Sequence, residues 1–151
     1  MKQFESVNDA LDYAITEEEA AVKFYRELAA KVKQSGMNSL LLQFSNEENG
    51  HKLKLIDIKN GNLMPDATQK VTDLKIGDYM VDVEPGADLD YQDALIVAMK
   101  KEKAAYRMYV DLAASTASPE IKTIFLSLAA EEANHKLRFE LEYDNEIMTE
   151  N

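Results

Sequence analysis

Hydrophobic residues recur every three or four positions through four long stretches of the chain, the spacing that places side chains on one face of an α-helix. Glycine and proline are sparse, five and three in number; all three prolines and every glycine except Gly50 fall between or at the edges of these stretches. The pattern predicts helices over about 6–34, 38–60, 91–114 and 118–146. Ser6 with Asp9 resembles a capping box, and Ser118 before Pro119 is typical of a helix start.

The lengths of the connections predict how the helices are arranged. Short turns join the first helix to the second and the third to the fourth, which favours antiparallel hairpins over 6–60 and 91–147. The connector 61–90 is long enough to climb the bundle, so the third helix can run parallel to the second. Residues 1–151 are therefore expected to form one all-α domain, a four-helix bundle with one long crossover connection. Within the connector, 74–76 and 79–83 could form a short extended strap.

The two predicted hairpins repeat each other at a constant offset of 84 residues, without a gap. Apolar positions alone would be weak evidence, because any two amphipathic hairpins share them. Polar residues also match, and core packing does not ask for those. Matching residues include Tyr25 with Tyr109, Glu47-Glu48 with Glu131-Glu132, and His51 with His135. We interpret the chain as a duplicated helical hairpin.

Each apolar stripe carries a carboxylate near its middle. The stripe of the third helix, for example, passes Leu95, Met99, Glu102, Tyr106 and Tyr109. The carboxylates of the four stripes belong to Glu18, Glu48, Glu102 and Glu132. On the second and fourth helices a histidine follows three residues later on the same face, as His51 and His135.

Composition narrows the kinds of chemistry open to the protein. The 28 Asp and Glu outnumber the 17 Lys and Arg, for a net charge of −11, which opposes nucleic-acid binding. There is no Cys, which excludes disulfides, thiolate metal sites and iron–sulfur clusters. No apolar run approaches the ~20 residues of a membrane span, and residues 1–5 do not resemble a signal peptide. A cytoplasmic protein that binds neither membrane nor nucleic acid is expected.

Four buried carboxylates need neutralisation by protons, by basic side chains or by metal ions, since each buried ion costs several kcal/mol. No Lys or Arg shares the stripes at those levels. Two divalent cations would balance the four charges. Two Glu-x-x-His motifs plus one Glu from each other helix is the ligand pattern of ferritin-like di-metal carboxylate bundles. Oxygen-rich ligands with one imidazole per metal suit iron or manganese better than zinc, although zinc can substitute.

At these residues the sequence resembles the rubrerythrin family of ferritin-like di-iron carboxylate proteins. The motifs that carry the resemblance are Glu18-x6-Tyr25, Glu47-Glu48-x-x-His51, Glu102-x6-Tyr109 and Glu131-Glu132-x-x-His135. It implies that Glu48 and Glu132 bridge two iron ions that cycle between Fe²⁺ and Fe³⁺. The terminal ligands it implies are Glu18, Glu102, His51 and His135. It also implies that Tyr25 and Tyr109 lie beside the metals, hydrogen-bond to ligand carboxylates and take part in catalysis.

The activity implied by this resemblance is reduction of hydrogen peroxide or oxygen, as a defence against oxidative stress. Rubrerythrins proper carry a rubredoxin-like domain with four Cys, whereas this chain has none. A short form that lacks that domain, with electrons from an external donor protein, is therefore expected. Typical members also have a further ligand Glu on the third helix, where Lys101 and Ala104 flank Glu102 here.

Two other functions are compatible with the same residues. The protein could be a ferroxidase or iron-handling protein, with the metals as cargo. It could also be a non-enzymatic module, such as a sensor, that metal stabilises. A homodimer is expected in each case.

Overall fold

A computed structural model describes residues 6–32, 35–61 and 90–150, which form four helices and their turns. The helices are α1 (Val7–Lys31), α2 (Ser35–Asn60), α3 (Tyr91–Ala114) and α4 (Pro119–Glu150). The predicted all-α four-helix fold is confirmed. The strap predicted within 74–83 lies outside the described residues. None of the four helices contains an apolar stretch of membrane-spanning length.

Side chains cap the helices where the sequence predicts their starts. Ser6 Oγ accepts a hydrogen bond from the Asp9 N–H at 3.2 Å. At the start of α3, the Asp90 carboxylate accepts from the Asp93 N–H at 2.8 Å, and these residues lie 84 positions after the first pair. Ser118 Oγ accepts from the N–H of the third residue of α4 at 3.3 Å. Each cap satisfies a backbone donor that the helix itself leaves unpaired.

The turn between α1 and α2 comes earlier than the sequence predicts. Helix α1 ends at Lys31, because Val32 is extended and its N–H closes on the Leu28 carbonyl at 3.1 Å. The Asn38 side-chain amide donates to the Ala29 carbonyl at 2.5 Å and satisfies a second terminal oxygen. Gly36 therefore lies in the first turn of α2 and does not end α1. Helix α4 is also longer than expected and continues to Glu150.

Two apolar clusters, one at each end of the bundle, give the helix directions. One cluster joins the start of α1 and the start of α4 to the last turns of α2 and α3. The other joins the end of α1 and the end of α4 to the first turns of α2 and α3. Helices α1 and α4 therefore run parallel to each other and opposite to α2 and α3. This is the predicted one-crossover arrangement.

Backbones pack closely within each hairpin, α1 against α2 and α3 against α4, and much less closely between hairpins. The two hairpins consequently meet mainly through side chains. One expected core position is wrong: Tyr106 is 41% exposed. The inward face of α3 at that level is formed by Ala105 and Met108, so the small alanine side chain leaves space between α1 and α3.

Leu95 is fully buried in the second cluster, and its substitution tests the packing. Leu95→Ala is expected to lower the free energy of unfolding by about 2–5 kcal/mol, through lost burial and the cavity left behind. Leu53 is 52% exposed and serves as the control. Leu53→Ala should change the free energy of unfolding by less than about 0.5 kcal/mol. Urea unfolding of both variants in the same metal state measures the difference. Equal losses of stability in the two variants would contradict the burial of Leu95 in the core.

Candidate metal centre

One carboxylate from each helix reaches the same point on the bundle axis, with the two imidazoles beside them. None of the four carboxylate residues is more than 3% exposed, and both histidines are 4% exposed. The structure brings together all six residues that the sequence selected as candidate ligands. They are Glu18 on α1, Glu48 and His51 on α2, Glu102 on α3, and Glu132 and His135 on α4.

The six residues form two overlapping groups, each able to hold one metal ion. Within each group, one potential ligand atom per residue lies within 4.8 Å of the others. The first group consists of Glu18, Glu48, His51 and Glu132, and the second of Glu48, Glu102, Glu132 and His135. Glu48 and Glu132 belong to both groups. That shared position is the one that a bridging carboxylate would occupy.

Both imidazoles turn Nδ1 toward the carboxylates. His51 Nδ1 lies 2.7 Å from Glu132 Oε1 and 3.3 Å from Glu48 Oε1. His135 Nδ1 lies 3.4 Å from Glu48 Oε1 and 3.6 Å from Glu102 Oε2. The two rings are nearly parallel, with centroids 6.4 Å apart. Each group thus combines carboxylate oxygens with one ring nitrogen.

Several of these atoms lack the hydrogen bonds that buried polar groups normally make. In the described part of the chain, seven buried side-chain atoms have no hydrogen-bond partner, and all seven belong to the six residues. Even the short contact from His51 Nδ1 to Glu132 lacks hydrogen-bond geometry. A buried unsatisfied polar atom costs about 1–3 kcal/mol, so seven in one place need a physical reason. Lone pairs that converge on one region fit divalent cations, and the donor set therefore fits a two-metal centre.

The pKa values of the carboxyl groups show how strongly the cluster favours added positive charge. Burial, followed by the charge of Glu48, raises the pKa of Glu18 to about 8. Burial, followed by the charge of Glu102, raises the pKa of Glu132 well above its usual value. Burial acts in the same direction on Glu48, but contacts with the two imidazoles outweigh it and hold its pKa well below the usual range.

The negative charge of the carboxylates also shifts the pKa values of the two imidazoles. Burial alone would lower the pKa of a histidine, since it disfavours the charged form. Contacts with Glu18 and Glu48 outweigh burial and raise the pKa of His51 to about 10. Contacts with Glu102 and Glu48 likewise raise the pKa of His135 to about 11. Protons and metal ions thus compete for the same atoms.

Two tyrosines, both completely enclosed in the bundle, donate to this cluster across the hairpins. Tyr109 Oη donates to Glu18 Oε1 at 2.7 Å, and Tyr25 Oη donates to Glu102 Oε1. Burial, followed by the charge of the carboxylate that accepts its hydrogen bond, raises the pKa of each phenol well above 10. Each phenol therefore keeps its proton. Because α1 and α3 are antiparallel, each tyrosine reaches the carboxylate of the other helix.

Two further glutamates contact the imidazoles, and the sequence reasoning gave them no role. Glu131 Oε2 lies 2.8 Å from His51 Nε2, and Glu47 Oε2 lies 2.6 Å from His135 Nε2. Phe44 also stacks on His135, with ring centroids 4.0 Å apart. The available signal was the repeat itself, in which the residue before Glu48 and the residue before Glu132 are both glutamates.

A small cavity between α1 and α3 reaches the carboxylates. Its volume is about 30 Å³, which exceeds the space needed for one water molecule. Small side chains form much of its wall, including Ala14, Ala21, Ala104 and Ala105. Both buried tyrosines also line it. The cavity leaves room beside the cluster for a molecule the size of water or peroxide.

The one-crossover bundle and its carboxylate–histidine cluster define a ferritin-like protein with a candidate two-metal centre. The chain matches the family model of rubrerythrin over residues 9–143 and belongs to the rubrerythrin family. None of the curated proteins compared with the chain matches it.

Solved structures have the same fold. The chain is similar to a protein of Thermotoga maritima described as a ferritin-like diiron-carboxylate protein, with a TM-score of 0.83 and 18% identity over 95% of this chain and 97% of that one. It is also similar to a hypothetical protein of Pyrococcus furiosus, with a TM-score of 0.73 and 25% identity over 92% and 89%. A PmFTN variant soaked in iron gives a TM-score of 0.67 and 16% identity over 92% and 87%.

Glu132 belongs to both groups, so its substitution tests the centre. The wild-type chain is expected to bind two Mn²⁺ or Zn²⁺ ions and to melt at higher temperature when loaded, because the ions bind the folded state. Glu132→Gln should lose both ions and the rise in melting temperature. Its metal-free form should be no less stable than metal-free wild type, because an amide replaces a buried carboxyl.

Metal analysis and thermal melting measure these effects, and Glu27→Gln, at an exposed position on α1, is the control. Retention of two ions by Glu132→Gln, or their loss from Glu27→Gln, would contradict the assignment.

Proposed function

We propose that the protein is a di-iron carboxylate oxidoreductase that reduces hydrogen peroxide or oxygen with electrons from a separate donor protein. The observation that carries the proposal is the buried six-residue donor set whose outer carboxylates each accept a hydrogen bond from a tyrosine. Family membership supports it independently. In this proposal the six residues would hold the two metal ions, with Glu48 and Glu132 shared between both and each of the other four belonging to one.

Two ferrous ions, when bound, would supply the two electrons that convert one peroxide and two protons into two water molecules. Oxidation of both ions to the ferric state would add two positive charges beyond the four that the carboxylates balance. Tyr25 and Tyr109 keep their protons and hold Glu102 and Glu18 by hydrogen bonds. These bonds restrict how far the two carboxylates can rotate while the charge changes.

Access to the cluster supports a small oxidant. The cavity between α1 and α3 contacts the carboxylates, and its volume of about 30 Å³ suits a molecule as small as peroxide or oxygen. Lys101 and Glu17 also line it, so its wall offers charges of both signs to a polar molecule. Electrons then have to arrive without physical entry of the donor, which suits a partner protein that docks on the outside.

The reaction with peroxide is the direct test. The anaerobic, two-iron protein is expected to be oxidised by hydrogen peroxide faster than free Fe²⁺ at the same concentration, with one peroxide consumed for two irons. Stopped-flow absorption follows the reaction, and Glu132→Gln mixed with the same iron serves as the control because it should react like free Fe²⁺. A wild-type rate no faster than free Fe²⁺ would overturn the proposal. Aerobic uptake of many more than two irons per chain would instead indicate iron storage.

The tyrosine hydroxyls give a second test. The double variant Tyr25→Phe/Tyr109→Phe should keep both irons and the fold, since the rings and their packing remain. Its oxidation by peroxide should slow by roughly 10²-fold, because Glu102 and Glu18 lose the hydrogen bonds that restrict their rotation and a small misplacement of reacting groups can cost that much. The control is Tyr106→Phe, because Tyr106 is exposed on the same helix as Tyr109. Unchanged kinetics in the double variant would remove the tyrosines from the mechanism.

A further inference from the structure

We infer that Glu131 and Glu47 are positioning residues that hold His51 and His135 with Nδ1 directed at the metals. The inference rests on the two-metal centre proposed above and extends it to side chains at the protein surface. Both glutamates are partly exposed, at 50% and 37%, whereas the imidazoles they contact are 5% exposed. Each glutamate thus lies at the rim of the cluster and is not among the residues that could reach a metal ion.

The contacts with Glu131 and Glu47 determine which nitrogen of each imidazole carries a proton. Glu131 Oε2 lies 2.8 Å from His51 Nε2, and Glu47 Oε2 lies 2.6 Å from His135 Nε2. A carboxylate can only accept, so Nε2 carries a proton and donates it. The lone pair of a neutral ring is then on Nδ1, the atom that faces the core carboxylates. A carboxylate on the remote nitrogen is a common way to orient a metal-binding histidine and to increase its basicity.

Both contacts cross from one hairpin to the other. Glu47 is on α2 and accepts from His135 on α4, while Glu131 is on α4 and accepts from His51 on α2. In each Glu-Glu pair the second residue points to the axis and the first to the rim. Each pair of adjacent glutamates therefore supplies one carboxylate to the buried cluster and a second carboxylate that orients the histidine of the other hairpin.

The two histidines are not held equally. Phe44 stacks on His135 at 4.0 Å with the ring planes 26° apart. The residue 84 positions after Phe44 is Leu128, which has no ring to stack. Within the described ranges, the only ring contact of His51 is with His135, at 6.4 Å. His51 therefore depends on Glu131 for its orientation more than His135 depends on Glu47.

The Zn²⁺ affinity of the full chain, measured by competition with a chelator, tests whether Glu131 matters more than Glu47. Glu131→Ala should weaken the more affected of the two Zn²⁺ sites by roughly 10–100-fold, the usual effect of losing the hydrogen-bond partner of a metal-binding histidine. Glu47→Ala should weaken binding less, because Phe44 still packs on its histidine. Glu131→Gln keeps an acceptor and should retain most of the affinity. Glu140→Ala is the matched control: Glu140 is 42% exposed, lies on α4 and pairs with Lys136.

Nitrogen NMR of the imidazoles supplies a readout that does not need metal. In the metal-free wild type the Nε2–H signal of His51 should be protected from exchange with water, and Glu131→Ala should remove that protection while circular dichroism stays unchanged. Retained protection, Zn²⁺ affinity within twofold of wild type for Glu131→Ala, or equal weakening in Glu140→Ala would each overturn the inference. Wild type that binds no Zn²⁺ but shows the protected proton would instead refute the proposed metal centre.

Discussion

Four carboxylates buried at one level of a narrow bundle repel one another and lose their hydration, so the fold needs positive charge at its centre. None of the buried residues in the described part of the chain is a Lys or Arg; two imidazoles and converging lone pairs lie at that level. The raised pKa values of Glu18 and the two histidines have the same origin, because a bound proton also supplies positive charge to the cluster. The stability of the bundle and the affinity of the candidate metal site therefore depend on the same requirement for positive charge.

The same cluster also joins the two hairpins. Backbones approach closely within each hairpin and only sparsely between them. Across that gap run the two tyrosine–glutamate bonds and the two glutamate–histidine contacts. The polar centre consequently contributes to the relative placement of the halves, alongside the apolar clusters at either end. A metal ion bound by residues from all four helices would fasten the halves at their middle.

Much of this architecture could be predicted because helical periodicity and the repeat are properties of the sequence itself. The six core residues stood out since charged residues on an apolar face need an explanation. Three features depended on tertiary geometry. The early end of α1 needs Asn38 to reach Ala29, and the partner of Tyr25 is the glutamate of α3 and not that of its own helix. Periodicity also could not tell whether Tyr106 or its neighbours face inward.

The crossed contacts constrain how the two halves can diverge. A change in Glu131 is felt by His51 of the other hairpin, and a change in Tyr25 by Glu102, so neither half can drift alone at these positions. The halves are identical there, from Glu18 and Glu102 to His51 and His135. Next to them, where no contact crosses in this reciprocal way, they differ: Glu17 is matched by Lys101 and Phe44 by Leu128. The repeat thus keeps its symmetry at the centre, while the surroundings of the two candidate metal-binding groups are unequal.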